Sequence, residues 1–220
     1  MTSSSGPGGS LPRLLTWLSP SFPVGAFAYS HGLEWAVEAG DVRDEATLLD
    51  WIADLLAHGA GRTDAILLRH AYRANGRDEL TSVAELAEAA QPCRERRAET
   101  LGQGGAFTLA AAVWGEPLLQ GDVPYPVAFG ALARAQRVPE DPAALGFLHA
   151  FAANLVSAAV RLVPLGQTAG LRTLAALETL VEMVADESRD AGLDEIGGAC
   201  FRADIAAMRH ETQYTRLFRT

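Results

Sequence analysis

Apolar residues recur at helical spacing along nearly the whole chain, and runs that alternate apolar and polar residues are rare. The clearest case has the i, i+1, i+4, i+7, i+8 spacing of one helix face and consists of Leu48, Leu49, Ile52, Leu55 and Leu56. Asp41 or Asp44 precedes this face and can serve as its N-cap. The pattern predicts an all-α protein.

Further helices are predicted on the same grounds. Residues 61–76 form the next one, and residues 142–163 form a central helix that Pro164 and Gly166 break. Another helix follows over residues 171–184. Residues 116–126 are predicted to be a loop by their prolines and glycines, and the apolar stretch before them is predicted to be buried. With no fixed-period repeat, these elements indicate a single-domain helical bundle of roughly eight to ten helices.

Three parts of the chain are distinguished. Residues 1–10 are small and polar and are predicted to be a disordered lead-in. Residues 11–208 form the all-α domain, and residues 209–220 form a tail that docks on a partner. No apolar run approaches the length of a transmembrane helix, there is no secretory leader, and the two cysteines lie far apart, so we expect a cytoplasmic protein with no membrane contact.

Composition excludes several kinds of chemistry. All 18 basic residues are arginine, so there is no Walker A lysine and no Schiff-base lysine. The formal net charge of −9 argues against binding to a nucleic-acid backbone. We therefore expect no nucleic-acid partner.

Residues 21–34, SFPVGAFAYSHGLE, raise the question of a metal or catalytic site. His31 and Glu34 stand at i and i+3, which is half of a metal site at best, and Ser30 and His31 are adjacent residues that cannot form a triad. The glycine-rich LGQGGAF matches neither nucleotide-binding fingerprint and is better explained by a helix break or a close helix contact. We predict no catalytic residue, no metal ligand and no cofactor, and we interpret the segment as a shaped recognition surface.

The C-terminal residues differ in kind. Arg202, Arg209 and Arg216 are spaced by seven and would line one side of a continuous helix, with Tyr214, Leu217 and Phe218 on the other. Terminal residues are poorly placed for burial within their own domain. We therefore expect this Tyr/Leu/Phe/Arg group to dock on another molecule.

Five blocks of the sequence, in order, resemble the family of the urease accessory protein UreF. They are SPSFPVGAFAYSHGLEWAVEAG, ETLGQGGAF, YPVAFG, NLVSAAVRLVPLGQTAGLRTLAAL and ADIAAMRHETQYTRLFRT. The resemblance runs from about Leu14 to the C-terminus. Ala26 stands where the family often has a second glycine, which argues against a glycine-only backbone conformation at that position. Thr220 stands where the family usually has serine.

The resemblance implies an all-α, non-enzymatic, homodimeric protein that binds UreD (UreH in some organisms), the GTPase UreG and apo-urease, and that couples GTP hydrolysis to nickel insertion. It implies a UreG face, comprising Pro23, Gly25, Tyr29, Ser30, His31, Glu34, Arg216 and Arg219. It also implies tail residues that bind UreD/UreH, comprising His210, Glu211, Tyr214, Leu217 and Phe218. Gln103, Gly166 and Gln167 are possible interface residues.

Two other functions stay open at this point. One is a direct nickel metallochaperone, and the other is a small metal-dependent hydrolase that uses His31 and Glu34.

Overall fold

A computed structural model of the protein describes residues 10–220. The predicted lead-in lies outside the described residues, except for Ser10, the first residue of the first helix. The ten α-helices of the described chain are α1 Ser10–Trp17, α2 Leu33–Glu38, α3 Glu45–His58, α4 Ala60–Arg73, α5 Arg77–Ala89, α6 Arg94–Ala111, α7 Tyr125–Ala135, α8 Glu140–Leu162, α9 Gly166–Glu187 and α10 Phe201–His210. The all-α prediction is confirmed.

The helix with the clearest periodicity in the sequence also has the clearest start. Asp44 is the N-cap of α3, and its carboxylate accepts a hydrogen bond from the Thr47 backbone N–H at 2.9 Å. The Thr47 hydroxyl in turn accepts from the Asp44 N–H at 3.1 Å, which completes a capping box. Leu48, Ile52 and Leu56 of α3 are fully buried, as their spacing predicts.

The core consists of three clusters of buried apolar side chains. The largest lies among α2, α3, α8, α9 and α10. The second is aromatic, with Trp17 standing edge-on to Phe107 and Phe129 at centroid distances of 6.1 and 6.0 Å. The third lies among α4, α5 and α7. Helix α4 is buried on nearly all sides and contributes to all three clusters.

Helix α6 corrects two predictions from the sequence. The glycines of LGQGGAF do not break a helix, because α6 continues through them. The close-contact alternative is right, since a Cβ on Gly104 would lie 1.7 Å from the Val123 carbonyl oxygen. The end of this stretch is buried on one side only: Leu109 is 80% exposed and Val113 is 79% exposed, whereas Phe107 and Ala111 pack in the aromatic cluster.

Helix α8 is the one helix in residues 10–220 that is long and apolar enough to cross a membrane by length and composition, with a mean hydropathy of 1.7 over its best window. The prediction that no apolar run approaches that length is wrong on these two criteria. Half of that window is buried, mainly against α9 and α4. Since the core helices of globular proteins pass the same test, this is weak evidence for a membrane span.

Candidate functional site

Two irregular stretches of the chain meet on one side of the bundle. The first, residues 19–32, is called here the N-terminal segment, and the second, residues 211–220, is called the tail. They pair directly, because the Arg219 N–H donates to the Ala28 carbonyl at 2.8 Å and the Ser30 N–H donates to the Thr220 carbonyl at 2.9 Å. The Ser30 hydroxyl also donates to the Thr220 carbonyl. The two stretches therefore form one structural unit.

Glu34 of α2 binds the tail through its carboxylate. One oxygen accepts from the Leu217 N–H at 2.6 Å, and the other accepts from the Phe218 N–H at 2.9 Å. His210 Nε2 lies 3.1 Å from the second oxygen. Glu34 is buried, so these charge-assisted contacts are shielded from water. Helix α10 ends at His210, and these contacts hold the residues that follow it against α2.

Glu95 of α6 provides a second anchor for the end of the chain. His210 Nδ1 lies 2.7 Å from one oxygen of Glu95, and Arg216 Nη1 donates to the other at 2.8 Å. His210 thus lies between two carboxylates with both ring nitrogens in contact. Glu211 caps α6 by accepting from the Arg94 N–H at 3.0 Å.

Glu99, one turn further along α6, completes a row of three buried glutamates. We call Glu34, Glu95 and Glu99 the carboxylate cluster. Glu99 accepts from the Thr220 hydroxyl at 2.6 Å and forms an ion pair with Arg96. Burial alone would raise the pKa of Glu99, but Arg96, His31 and the Thr220 hydroxyl together hold it well below its usual range. Glu99 is therefore ionised at any physiological pH.

His31 lies beside this pair. Its Nδ1 is 2.7 Å from Arg96 Nη1 and 2.8 Å from Glu99 Oε1. Burial, reinforced by the charge of Arg96 and opposed by Glu99, lowers the pKa of His31. The other ring nitrogen, Nε2, makes neither contact. That atom is buried and has no hydrogen-bond partner within residues 10–220.

The backbone at this point is tightly constrained. His31 has a φ of 60° and Gly32 has a φ of 76°, both in the left-handed region. A Cβ on Gly32 would lie 2.6 Å from the Ala207 backbone nitrogen of α10. Glycine is therefore required at position 32 both for its conformation and for the close approach of α10. Ala26, by contrast, lies in a 3₁₀ turn with negative φ, as its side chain predicts.

A groove runs from the surface to this polar unit. It has a volume of about 570 Å³, lies between α1, the N-terminal segment and α8, and has mostly apolar walls. At its inner end are His31, Asp64, Arg96 and Glu99. Burial raises the pKa of Asp64 to about 7, although the charge of Arg96 opposes the shift. The carboxyl of Asp64 thus holds its proton more tightly than a free aspartate does.

The outer surface of the unit is apolar and cationic. The Arg161 guanidinium lies between two aromatic rings, 3.7 Å from the centroid of Phe27 and 4.3 Å from that of Phe218. Tyr214 is fully exposed and Leu217 is 64% exposed. The tail is therefore fixed through its backbone while these two side chains point outward.

The residues predicted for the UreG face fall into two groups. Tyr29, Ser30, His31 and Glu34 are buried inside the chain, so the interpretation of these four as surface residues is wrong. Their polar atoms face the tail and α6, which a reading of local sequence does not reveal. The other four are exposed, namely Pro23, Gly25, Arg216 and Arg219.

The expectations for the tail also need correction. Helix α10 ends at His210, so Arg216 is not on one helix with Arg202 and Arg209. The premise that the last residues lack a place in their own domain is wrong for Phe218, which is 4% exposed, and His210 is fully buried. Glu211 is partly buried, whereas Tyr214 and Leu217 remain on the surface.

The three possible interface residues lie in different environments. Gln103 is buried and donates to Glu99 at 3.1 Å, so it belongs to the carboxylate cluster's surroundings. Gly166 and Gln167 are exposed in the first turn of α9.

Metal and nucleophile chemistry find little support in this arrangement. Among residues 10–220, no group of three or more His, Cys, Asp or Glu side chains is placed to hold a metal ion. His31 and Glu34 are not a ligand pair, because His31 contacts Arg96 and Glu99 while Glu34 is engaged by the tail. Cys200 has a pKa raised to about 11 by burial, which makes it a poor nucleophile.

Sequence reasoning missed Glu95 and Glu99, the α6 residues that hold the unit together. With Gln103, which was named as a possible interface residue, they stand at i, i+4 and i+8, a polar stripe on one face of α6. That spacing was available in the sequence and could have marked a buried polar face. Asp64 and Arg161 were also missed, and Arg161 is a charged residue inside an otherwise apolar helical run.

Comparison with known proteins gives a consistent result. The family model named UreF matches residues 42–178. The chain is 54% identical to a urease accessory protein UreF of Bradyrhizobium sp. (strain ORS 278), over 96% of this chain and 92% of that protein. It is 50% identical to one of Rhodopseudomonas palustris (strain BisA53), over the whole of both. A third, from Cereibacter sphaeroides (strain KD131 / KCTC 12085), is 56% identical over 96% of this chain and 98% of that protein.

Proposed function

The chain belongs to the UreF family of urease accessory proteins, which gives it a role in urease maturation, and we propose that within that role it is a non-catalytic scaffold. In this proposal it binds UreD (UreH) and the GTPase UreG together. GTP hydrolysis by UreG is thereby coupled to insertion of nickel, as cargo, into apo-urease in the cytoplasm. The scaffold itself needs no cofactor.

The observation that carries this proposal is the tail, whose backbone is fixed by Glu34 while Tyr214 and Leu217 face outward. Large apolar side chains held rigidly at a surface lose little entropy on binding, which favours a hot spot. We assign Tyr214 and Leu217 as the anchors for UreD/UreH. His210, Glu211 and Phe218 act indirectly, by holding the tail in place.

Calorimetric titration of the full chain with UreD/UreH tests this assignment. The double variant Tyr214→Ala/Leu217→Ala should weaken binding by at least 100-fold, about 2.7 kcal/mol. The matched control is Leu171→Ala on α9, since Leu171 is 67% exposed, close to the 64% of Leu217. Equal affinities for the double variant and the control would contradict the assignment. Point variants are preferred to a chain ending at Met208. That chain would lack His210, so the buried carboxylates of Glu34 and Glu95 would lose this shared partner.

For UreG, we propose that Arg219, together with Arg216, Pro23 and Gly25, forms the contact surface. That surface is held in position by four buried residues, Tyr29, Ser30, His31 and Glu34. A scaffold biases a nucleotide switch only through different affinities for its states. UreG affinity should therefore depend on the bound nucleotide, and Arg219→Ala should reduce that affinity about tenfold or more, whereas Arg77→Ala, a change at another exposed arginine, should not.

An arginine finger is a second candidate role for Arg219, because guanidinium suits a transferred phosphoryl group. The variant Arg219→Lys distinguishes the arginine-finger role from the docking role. Unchanged GTP turnover in the assembled complex would exclude the finger and leave the docking role.

A second copy of this chain is the partner that we propose for the groove between α1 and α8. Its lining includes the exposed apolar side chains of Leu15 and Phe27, and an apolar groove open to solvent favours a protein partner. Light scattering on the isolated protein should give the mass of a dimer, and Ala153→Arg at the groove wall should give that of a folded monomer. A dimer that survives this change would place the interface elsewhere. Gly166 and Gln167 are then candidates for it.

A further inference from the structure

Helix α10 has its small side chains inside and its large apolar side chains outside. Its buried residues are Ala203, Ala206, Ala207 and His210. Its outer row, at i, i+4 and i+7, consists of Phe201, Ile205 and Met208, which are 70%, 54% and 47% exposed. Small residues suit the inner face, since the α10 backbone approaches Gly32 without room for a side chain. A helix that is apolar on two faces needs cover on both, so we expect a partner over the outer row.

A groove of about 470 Å³ adjoins this row, between α3 and the start of α10. Phe201 lines the groove, so the outer row and the groove form one continuous surface. On the α3 side are Asp50, Asp54 and His58, which stand at i, i+4 and i+8 and are all exposed. The carboxylates of Asp50 and Asp54 have no hydrogen-bond or ion-pair partner within residues 10–220. The groove therefore combines an apolar contact point with unpaired negative charge.

Arg202 shows which chemistry this groove accepts. Its guanidinium lies 5.6 Å from the centroid of the Trp51 ring and forms an ion pair with Asp41 at 3.1 Å. That ion pair is exposed and therefore weak, so the Arg202 side chain can move aside. Trp51 also lines the groove, and its Nε1 is buried without an acceptor in the described chain. Arg43, the other arginine of the groove, pairs with Asp44 at 3.7 Å. A basic side chain thus already fits here, and the two aspartates of α3 leave charge for another.

We propose that this groove and the outer row of α10 form a second docking point for the partner proposed to bind the tail, UreD/UreH. It takes a segment in which an arginine or lysine stands next to a large apolar side chain. The basic side chain pairs with the two aspartates of α3, and the apolar one packs against the outer row. Continuity favours the same partner, because α10 ends at His210 and leads directly into the tail that carries Tyr214 and Leu217. The choice of partner rests on the proposed function, whereas the chemistry of the groove does not.

Calorimetric titration of the full chain with UreD/UreH tests the apolar part of this docking point. Phe201→Ala/Ile205→Ala should weaken binding about tenfold or more. Urea unfolding should show little change in stability, because both side chains are exposed. The matched control is Leu171→Ala/Met183→Ala on α9, at side chains that are 67% and 46% exposed, and it should bind as the native chain does. Equal affinities for the two double variants would overturn the proposal.

The response to salt tests the acidic part. Exposed aspartates attract a basic segment mainly at low ionic strength, so the affinity of the native chain should fall as salt rises and that of Asp50→Asn/Asp54→Asn should fall less. We expect affinities that differ about fivefold at about 50 mM salt and converge at about 500 mM. Glu178→Gln/Glu182→Gln, at an exposed pair with the same i, i+4 spacing on α9, is the matched control. The same salt dependence in the native chain and the aspartate variant would overturn the proposal.

The same titrations separate this docking point from the tail assignment. Weaker binding for Tyr214→Ala/Leu217→Ala alone would overturn the groove proposal and keep the tail assignment. Weaker binding for Phe201→Ala/Ile205→Ala alone would keep the groove proposal and overturn the tail assignment. Light scattering on the isolated chain tests a second copy as the occupant. A lower mass for Phe201→Ala/Ile205→Ala than for the native chain would show that this face joins two copies, and would overturn the proposal.

Discussion

At the scale of single residues, the account depends on Glu34 more than on any other side chain. The sequence marks it as half of a metal site or as part of a contact face, and in the structure its buried carboxylate is engaged by the tail. Its carboxylate binds two backbone N–H groups and His210, residues that are more than 170 positions away in the chain. Local spacing could mark Glu34 as unusual, but it could not show which distant groups would bind it.

Glu34→Gln should release the tail and destabilise the protein. The amide keeps the shape of the side chain but loses the charge and places an N–H group where donors already converge, so we expect a loss of about 2–4 kcal/mol in the free energy of unfolding. Urea unfolding measures this loss. Glu182→Gln on the exposed side of α9 is the matched control and should stay within about 0.5 kcal/mol of the native chain. Equal effects of the two changes would contradict the role of Glu34.

Asp64 gives the global stability a specific pH dependence. Its pKa is about 7 in the folded chain and 3.8 ordinarily, so the folded state holds this proton more tightly between those values. The free energy of unfolding should therefore fall as the pH rises towards 7, by about 3 kcal/mol between pH 5 and pH 8 from this group. Asp64→Asn should lack that part of the fall. If urea unfolding gave parallel pH profiles for the native chain and the variant, the contribution of Asp64 to the pH dependence would be ruled out.

At the scale of elements, helices were predictable and the packing of irregular segments was not. Periodicity located α3, α8 and α9, because each has an apolar face that packs in the largest core cluster. The continuation of α6 through its glycines was missed, since local propensity disfavours glycine in a helix and the compensating contact with residues 123–125 is tertiary. The tail was missed for a similar reason, because most of its hydrogen bonds go to α2, α6 and the N-terminal segment, which are distant in the sequence.

The α6 glycines allow a matched test of that contact. Gly104→Ala should cost more than 2 kcal/mol in the free energy of unfolding, because the new Cβ would lie 1.7 Å from the Val123 carbonyl oxygen and the backbone must move. Gly105→Ala should be neutral or stabilising by up to about 1 kcal/mol, since its nearest contact would be 3.4 Å from a side-chain oxygen and alanine favours the helix. Thermal unfolding measures the stability of both variants. If Gly105→Ala were the less stable of the two, α6 and residues 123–125 would not be packed as described.

At the scale of the whole molecule, the chain is a helical bundle with one unit built from two irregular stretches, residues 19–32 and 211–220. Buried glutamates, arginine and histidine fix that unit from inside, and Phe27, Tyr214, Leu217 and Arg219 are presented outside. A surface of this kind suits binding rather than catalysis, which agrees with the accessory role of the family. The family blocks could be recognised from the sequence, whereas the division into positioning and contacting residues required the fold.

The central claim is that one chain holds two partners at once through this unit. Light scattering after size-exclusion chromatography of the chain mixed with UreD/UreH and UreG, with GTP and magnesium present, tests it most directly. The account predicts a single species whose mass contains all three proteins, and it predicts loss of UreD/UreH from that species for Tyr214→Ala/Leu217→Ala but not for Leu171→Ala. Two separate binary complexes, or a ternary complex that the double variant leaves intact, would contradict it.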